Sequence, residues 1–281
     1  ASRGVATAVL ACGIDVCWMP LVIALVATPV ILAAIWVLEQ LPPPSAADVA
    51  VRQPRQAMTA EQRATFINSL RPGLVLLLAA YSMMTALRFF RDLFSRDIFT
   101  AANGGEVPSP LVFALADLPA ALVAAGILLL FLRVDDSGRA LHMMFWAMLC
   151  AIAAACFSTW LFHVGIIGCM CWQMTLGAGL YGMCSIACMP IYDRLVSAAN
   201  PGNAGITCTF LIFYGDLAGY AASVTLTLWK TFLSSGSAPE TALEQFIRAV
   251  ALLGTGIIVS LLAAQRYFSW RLKGMARAVK T

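Results

Sequence analysis

Long apolar runs separated by short polar turns make up most of the chain. A membrane-spanning helix needs about 20 predominantly apolar residues. Seven stretches meet or nearly meet that length: 19–38, 72–95, 110–132, 141–163, 166–190, 205–229 and 246–265. Residues 1–18 are also apolar, but they are too short to span and are interrupted by Gly13 and Asp15. The pattern therefore predicts an all-α integral membrane protein with seven transmembrane helices, which we number as spans one to seven.

A long polar segment, residues 39–71, separates span one from span two. It opens with three prolines from Pro42, which end a helix because proline lacks an amide donor and disfavours helix before it. Further on, Thr59 and Gln62 form a capping-box pattern ahead of three apolar residues, Phe66, Ile67 and Leu70. That pattern predicts a short amphipathic helix on the membrane surface.

This segment divides the chain into parts. Residues 1–38 are interpreted as the end of an incomplete N-terminal helical half, and 39–71 as a linker with a surface helix. Residues 72–268 form a six-helix membrane bundle, and residues 269–281 a basic tail. The first residues include no initiator Met and no basic region followed by a cleavage site, so we expect the natural N-terminus to lie upstream.

Composition supports the membrane assignment. Hydrophobic residues are 61% of the chain, charged residues 11%, and the mean hydropathy is +0.84, whereas soluble domains carry about 25% charged residues. The net charge of +4 comes from basic residues at the ends of spans. Because they form no basic stripe with interleaved aromatic side chains, nucleic acid is excluded as a partner, and the lipid bilayer is expected.

The distribution of Lys and Arg predicts the orientation. Twelve of them lie on the side of the long loop and the tail: Arg52, Arg55, Arg63, Arg71, Arg133, Arg139, Arg194, Arg266, Arg271, Lys273, Arg277 and Lys280. At most six lie on the other side. By the positive-inside rule, the long loop and the C-terminus face the cytoplasm or the equivalent side of an organelle membrane.

The short sequence motifs of the chain indicate no metal, no cofactor and no enzymatic activity. The nine cysteines fall almost entirely in apolar runs, without a CxxC pair, and the chain has only two histidines, so the spacing is not that of a zinc site. We interpret the cysteines as small hydrophobic residues. The chain also lacks a nucleophile elbow and a phosphate-binding loop.

Charged residues inside span two are the first candidates for function. The stretch from Tyr81 to Phe94 carries Arg88, Arg91 and Asp92. A charge deep in hydrocarbon costs about 3 kcal/mol, so it normally faces the bundle interior or an aqueous cavity. At a rise of about 1.5 Å per residue, Arg88 of span two and Asp117 of span three lie at similar depths in the membrane, and we expect them to pair. The alternative is that Arg88 and Asp92, four residues apart, neutralise each other, with Asp117 completing a static ion cluster.

Span six carries a carboxylate near its middle, Asp216, within the segment from Tyr214 to Tyr220. An intramembrane carboxylate can relay protons or hold a cation. Three small residues of the same span, Gly215, Gly219 and Ser223, form a row that allows close helix packing. The candidate substrate or ion pathway is therefore Arg88, Arg91, Asp92, Asp117, Asp216 and Tyr214.

The order of elements resembles a known architecture. One span, a long basic loop, six spans and a basic tail resemble the C-terminal half of a major facilitator superfamily transporter, preceded by the last helix of its N-terminal half. The resemblance implies that spans two, three, five and six line a central cavity, and those spans include the three that carry the charges.

Short segments resemble an uncharacterised family of facilitator-like bacterial membrane proteins: Trp18-Met19-Pro20, Leu38 to Pro44, Tyr81 with Thr85 and Arg88, Arg91-Asp92, Gly179-Leu180-Tyr181, Asp193-Arg194 and Tyr214 to Tyr220. The charged stripe departs from that family's pattern, because Phe89 and Leu93 stand where it has polar residues.

Two functions follow as hypotheses. The first is a facilitator-type secondary transporter, or half of one, for a small solute. The second is a non-transporting structural or assembly subunit of a larger membrane complex. The expected partner is a missing N-terminal half in the first case and another membrane subunit in the second.

Overall fold

A computed structural model of the chain describes residues 12–46, 59–188, 190–199, 209–229 and 239–278, together with the single residues 9 and 232. Across these residues the secondary structure is helical, without strands. The helices are α1 Met19–Glu39, α2 Ala60–Leu93, α3 Ser95–Ala102, α4 Pro110–Leu132, α5 Ser137–His163, α6 Cys169–Ala187, α7 Pro190–Ala199, α8 Thr209–Leu228 and α9 Pro239–Ala278.

The chain divides into two compact units. One comprises Ala1–Pro54 and Ser109–Leu115, and the other comprises Arg55–Pro108 and Ala116–Thr281. The first unit contains α1, an apolar helix of 21 residues in which no residue is buried. A helix that is apolar on all sides and uncovered by protein requires a hydrocarbon environment.

The seven predicted transmembrane helices are confirmed. Seven helical segments of the described chain are long and apolar enough to cross a membrane, and each overlaps one predicted span. The fifth of these, Cys169–Ala199, comprises α6, whose C-cap is Cys188, and α7, which begins at Pro190; residue 189 lies outside the described residues. Proline is favoured at the first position of a helix because no intrahelical partner exists there for the missing amide.

The capping box at Thr59 is present. The backbone N–H of Gln62 donates to Thr59 Oγ1 at 3.3 Å, and the backbone N–H of Thr59 donates to Gln62 Oε1 at 3.0 Å. The helix that begins there does not end before span two, however, and it runs on to Leu93 as α2. The separate surface helix predicted from the sequence is therefore the first part of α2. Phe66 and Leu70 are buried, and the Phe66 ring meets Phe210 edge-on with ring centroids 6.4 Å apart, so this apolar face packs on protein.

The core of the second unit is built where α2 packs against α8 and α9, and where α5 packs against α6 and α9. Trp172, in the first turn of α6, is fully buried, stacked on Phe162 with ring centroids 4.2 Å apart and near Phe246. The Trp172 indole donates to Thr159 Oγ1 at 3.0 Å. The indole N–H of a buried Trp usually finds such an acceptor.

Gly179 fixes the contact between α5 and α6. A Cβ at this position would lie 2.5 Å from the backbone oxygen of Ala151 and 2.9 Å from Ala155 Cβ. Backbone atoms of a packed helix cannot move aside as a flexible side chain can. The two helices therefore approach this closely only with glycine at position 179.

We predict that Gly179→Ala lowers stability by about 1–3 kcal/mol, because overpacking forces the helices apart. Gly126→Ala in α4 is the matched control, since no atom lies within 4 Å of the added Cβ. The control should be neutral or slightly stabilising, because alanine is the better helix former. The measurement is thermal unfolding of the purified protein in mild detergent, and equal shifts for the two variants would contradict the prediction.

Candidate functional site

Arg91 of α2 is a fully buried cation, with 1% of its surface exposed. Its Nη1 and Nη2 atoms both donate to Asp117 Oδ1 of α4, each at 3.2 Å. Its Nε atom donates to Gln173 Oε1 of α6 at 3.1 Å, and Nη2 also donates to the Gln173 backbone oxygen at 3.2 Å. Two other helices thus supply the counter-charge and the hydrogen-bond acceptors that a buried guanidinium requires.

Two further residues complete this network. Asp92 Oδ1 lies 3.6 Å from Arg91 Nη1, and Asp92 Oδ2 accepts a hydrogen bond of 2.6 Å from Tyr181 Oη. Gly177 gives the guanidinium its space, because a Cβ there would lie 2.8 Å from Arg91 Nη2. The network joins α2, α4 and α6.

The predicted pairing of Arg88 with Asp117 is wrong, because Arg91 is the cation that contacts Asp117. The two arginines are three residues apart on α2, so they share a face and differ in depth by less than one turn, about 4.5 Å. Estimates of depth from sequence cannot separate two such positions. The space at Gly177 and the acceptors of Gln173 decide in favour of Arg91.

Arg88 has a different environment. Its guanidinium carbon lies 5.8 Å from the ring centroid of Tyr181 and 5.2 Å from that of Phe89, both within the range of cation–π attraction. Its Nε atom is buried and has no hydrogen-bond partner among the residues that the structure describes. A buried donor without an acceptor costs about 1–3 kcal/mol of stability.

Asp216 of α8 faces the same region from the other side. Tyr81 Oη of α2 donates to Asp216 Oδ1 at 2.9 Å and also lies 3.7 Å from Cys188 Sγ. Cys188 Sγ is in turn 3.3 Å from Cys184 Sγ. Both thiols are within electrostatic range of Arg88 and of Asp216. We call Tyr81, Arg88, Cys184, Cys188 and Asp216 the polar cluster.

The small residues of α8 lie against α2. A Cβ at Gly215 would be 3.2 Å from Tyr192 Oη and 3.6 Å from the Tyr81 ring, and a Cβ at Gly219 would be 3.0 Å from Thr85. Ser223 is buried and donates to the Gly219 backbone oxygen at 2.8 Å. This close approach brings Asp216 within reach of Tyr81.

Tyr214 does not join the polar cluster. Its side chain is 53% exposed, on the side of α8 that also presents Phe213 and Leu217. The tyrosine that contacts Asp216 is Tyr81, from the neighbouring helix. Tyr214 and Asp216 are two residues apart, which separates their directions by about 200° around the helix.

Five of the six predicted pathway residues lie in or next to this region. Helix α6 corresponds to span five, which the resemblance places at the cavity, but none of its residues is among the six. Its polar face consists of Gln173, Gly177, Tyr181, Cys184 and Cys188. These positions are separated by four, four, three and four residues, the spacing of one helical face. That spacing is the signal that would have identified the face, although cysteine and glycine do not look polar in a hydropathy profile.

A separate cavity of about 870 Å³ lies at one end of the bundle. It is lined by the turn before α5, the first part of α5, the end of α7 and α9, including Asp136, Arg139, His142, Gln265 and Phe268. Trp146 Nε1 donates to His142 Nε2 at 3.1 Å, and Asp136 caps α5 through the amides of Gly138 and Arg139. These polar groups therefore already serve the local structure.

The model of a protein family of unknown function, DUF5690, matches residues 1–271, and the chain belongs to that family. No curated protein matches the chain, and no solved structure matches it.

We predict that Asp117→Asn destabilises the protein by about 3–5 kcal/mol, because it leaves Arg91 buried without its main counter-charge. Glu244→Gln is the control, since Glu244 pairs with Arg248 at 3.3 Å on the surface, where both side chains are more than 60% exposed. Such surface pairs contribute about 0–1 kcal/mol. Thermal unfolding in mild detergent measures both variants. A loss for Asp117→Asn no larger than that of the control would contradict a structural role for the Arg91 network.

Proposed function

We propose that the chain is a secondary transporter of the facilitator type, or half of one, and that it holds a small solute between α2, α6 and α8. The observation that carries the proposal is the buried Nε donor of Arg88, which lacks an acceptor in the described part of the chain. A ligand with a carboxylate or another anionic oxygen supplies that acceptor.

The contrast with Arg91 supports this assignment. Arg91 is held by acceptors from α4 and α6, so opening its network costs more than a ligand contact returns. Arg88 is partly exposed and is contacted by aromatic rings instead. We therefore assign Arg91, Asp92 and Asp117 to the scaffold of the pathway, and Arg88 and Asp216 to the solute or coupling ion.

The charge of the region favours a cation or proton as the second ligand. The sites on α2, α4 and α8 comprise three aspartates and two arginines, so one carboxylate is in excess. Among the described residues Asp216 accepts one hydrogen bond, from the phenol of Tyr81. An intramembrane carboxylate in that position can take up and release a proton during alternating access of two repeats.

We predict that Arg88→Gln lowers kcat/KM for uptake into proteoliposomes about 10- to 100-fold, since a charge-assisted hydrogen bond contributes about 1.5–3 kcal/mol. Arg88→Lys should recover only part of the loss, because an ammonium group does not reproduce the planar donor fork. Arg248→Gln, an exposed arginine on α9, is the matched control and should transport normally.

The same assay tests Asp216. Asp216→Asn should abolish the stimulation of uptake by an imposed proton or cation gradient while leaving facilitated exchange measurable. Unchanged uptake in both Arg88→Gln and Asp216→Asn, for a solute that the wild-type protein transports, would rule out this site.

A second function, an assembly subunit of a larger membrane complex, is favoured by a different observation. Phe89 packs edge-on against Tyr220 with ring centroids 5.8 Å apart, so part of the α2 stripe serves helix packing. On α8, Phe213, Leu217 and Val224 are all more than half exposed, and they offer an apolar face to lipid or to another subunit.

Purification from the native membrane in mild detergent separates the two functions. A transporter should elute alone or with further copies or halves of itself, whereas an assembly subunit should elute with other membrane proteins at a fixed stoichiometry. Mass spectrometry of the eluted complex is the measurement. Stoichiometric unrelated subunits, together with the absence of uptake, would replace the first proposal with the second.

A further inference from the structure

Two thiols converge inside the second unit. Cys184 belongs to the last turn of α6 and Cys188 is its C-cap, and their Sγ atoms are 3.3 Å apart. The Cys188 amide donates to the Cys184 backbone oxygen at 2.9 Å, which keeps the two residues in helical register. Both side chains are largely shielded from solvent, Cys184 at 7% exposure.

The helical register opposes a disulfide between them. Residues four apart on a helix have Cβ atoms about 5–6 Å apart, whereas a disulfide requires about 3.5–4.5 Å. An ion that bridges the two sulfurs avoids this conflict. A metal–thiolate bond is about 2.3 Å long, so a bridged pair of sulfurs can be as much as about 4.6 Å apart. The two sulfurs, 3.3 Å apart here, then separate by rotation of their side chains, while the backbone hydrogen bond is kept.

We propose that Cys184 and Cys188 form a two-coordinate site, on one face of α6, for a soft monovalent cation of the Cu(I) type. The cation bridges the two sulfur atoms. Thiolate sulfur is the ligand that Cu(I) prefers. Among the described residues no group of three or more His, Cys, Asp or Glu side chains is placed to hold a metal ion. A zinc site, which needs four ligands, is therefore not offered here.

Charge balance supports the site. Binding forms two sulfur–metal bonds and releases two thiol protons, and the ion keeps its oxidation state. The product, two thiolates and one monovalent cation, carries one negative charge. Arg88 lies within electrostatic range of both sulfurs and offsets that charge. This site does not depend on which solute, if any, the protein transports.

The test uses the reduced chain Ala1–Thr281 in mild detergent under nitrogen, with Cu(I) presented as its bicinchoninate complex. The wild-type protein should withdraw one Cu(I) per chain. Cys184→Ser and Cys188→Ser should each withdraw at least tenfold less, whereas the exposed-thiol controls Cys150→Ser and Cys171→Ser should match the wild type. Arg88→Gln should weaken binding severalfold, because the negative complex loses its counter-charge.

Size-exclusion chromatography checks that each variant is folded. If a serine variant is not folded, Cys184→Ala and Cys188→Ala are used in its place. Failure of the wild type to withdraw Cu(I) would overturn the proposal. An equal loss in Cys150→Ser would do so too, since it would show adventitious thiol binding. Isolation of the wild type with a Cys184–Cys188 disulfide, read from peptide masses before and after reduction, would also overturn it.

Discussion

The requirement that a buried guanidinium be fully satisfied organises the second unit. Moving an ion of this size into a medium of low dielectric constant costs several kcal/mol even after relaxation, so Arg91 is tolerated only where acceptors surround it. Asp117 and Gln173 supply those acceptors from two other helices, and Gly177 supplies the space. The relative rotation and depth of α2, α4 and α6 are therefore fixed together by one side chain.

Arg88, the neighbouring arginine on α2, has a different environment from Arg91. Arg88 lies three residues earlier on the same face, and its Nε donor is buried without an acceptor among the described residues. One helix thus presents a cation held by the bundle and a second cation that we propose binds the solute. The close approach of α8 at Gly215 and Gly219 places Asp216 opposite, so the polar cluster contains both signs of charge.

The thiol pair links the two proposals without making one depend on the other. Cys184 and Cys188 lie within electrostatic range of both Arg88 and Asp216. A soft cation held by the sulfurs would occupy part of the region assigned to the solute and would engage the charge of Arg88. Binding of the metal and binding of an anionic solute at Arg88 should then compete, because both use the same guanidinium.

The sequence by itself determined the features that depend on local composition. The seven spans follow from runs of apolar residues, and the capping box follows from two side chains three residues apart, so neither needs a distant partner. Only the tertiary structure decided which groups meet. Each residue turns a helix by about 100°. A small error in the expected rotation or depth of a helix is therefore enough to select Arg88 where the contact is made by Arg91, and Tyr214 where it is made by Tyr81. The partners of Asp117 and Asp216, and the meeting of the thiols with Tyr81, are set by how four helices pack, which no single span encodes.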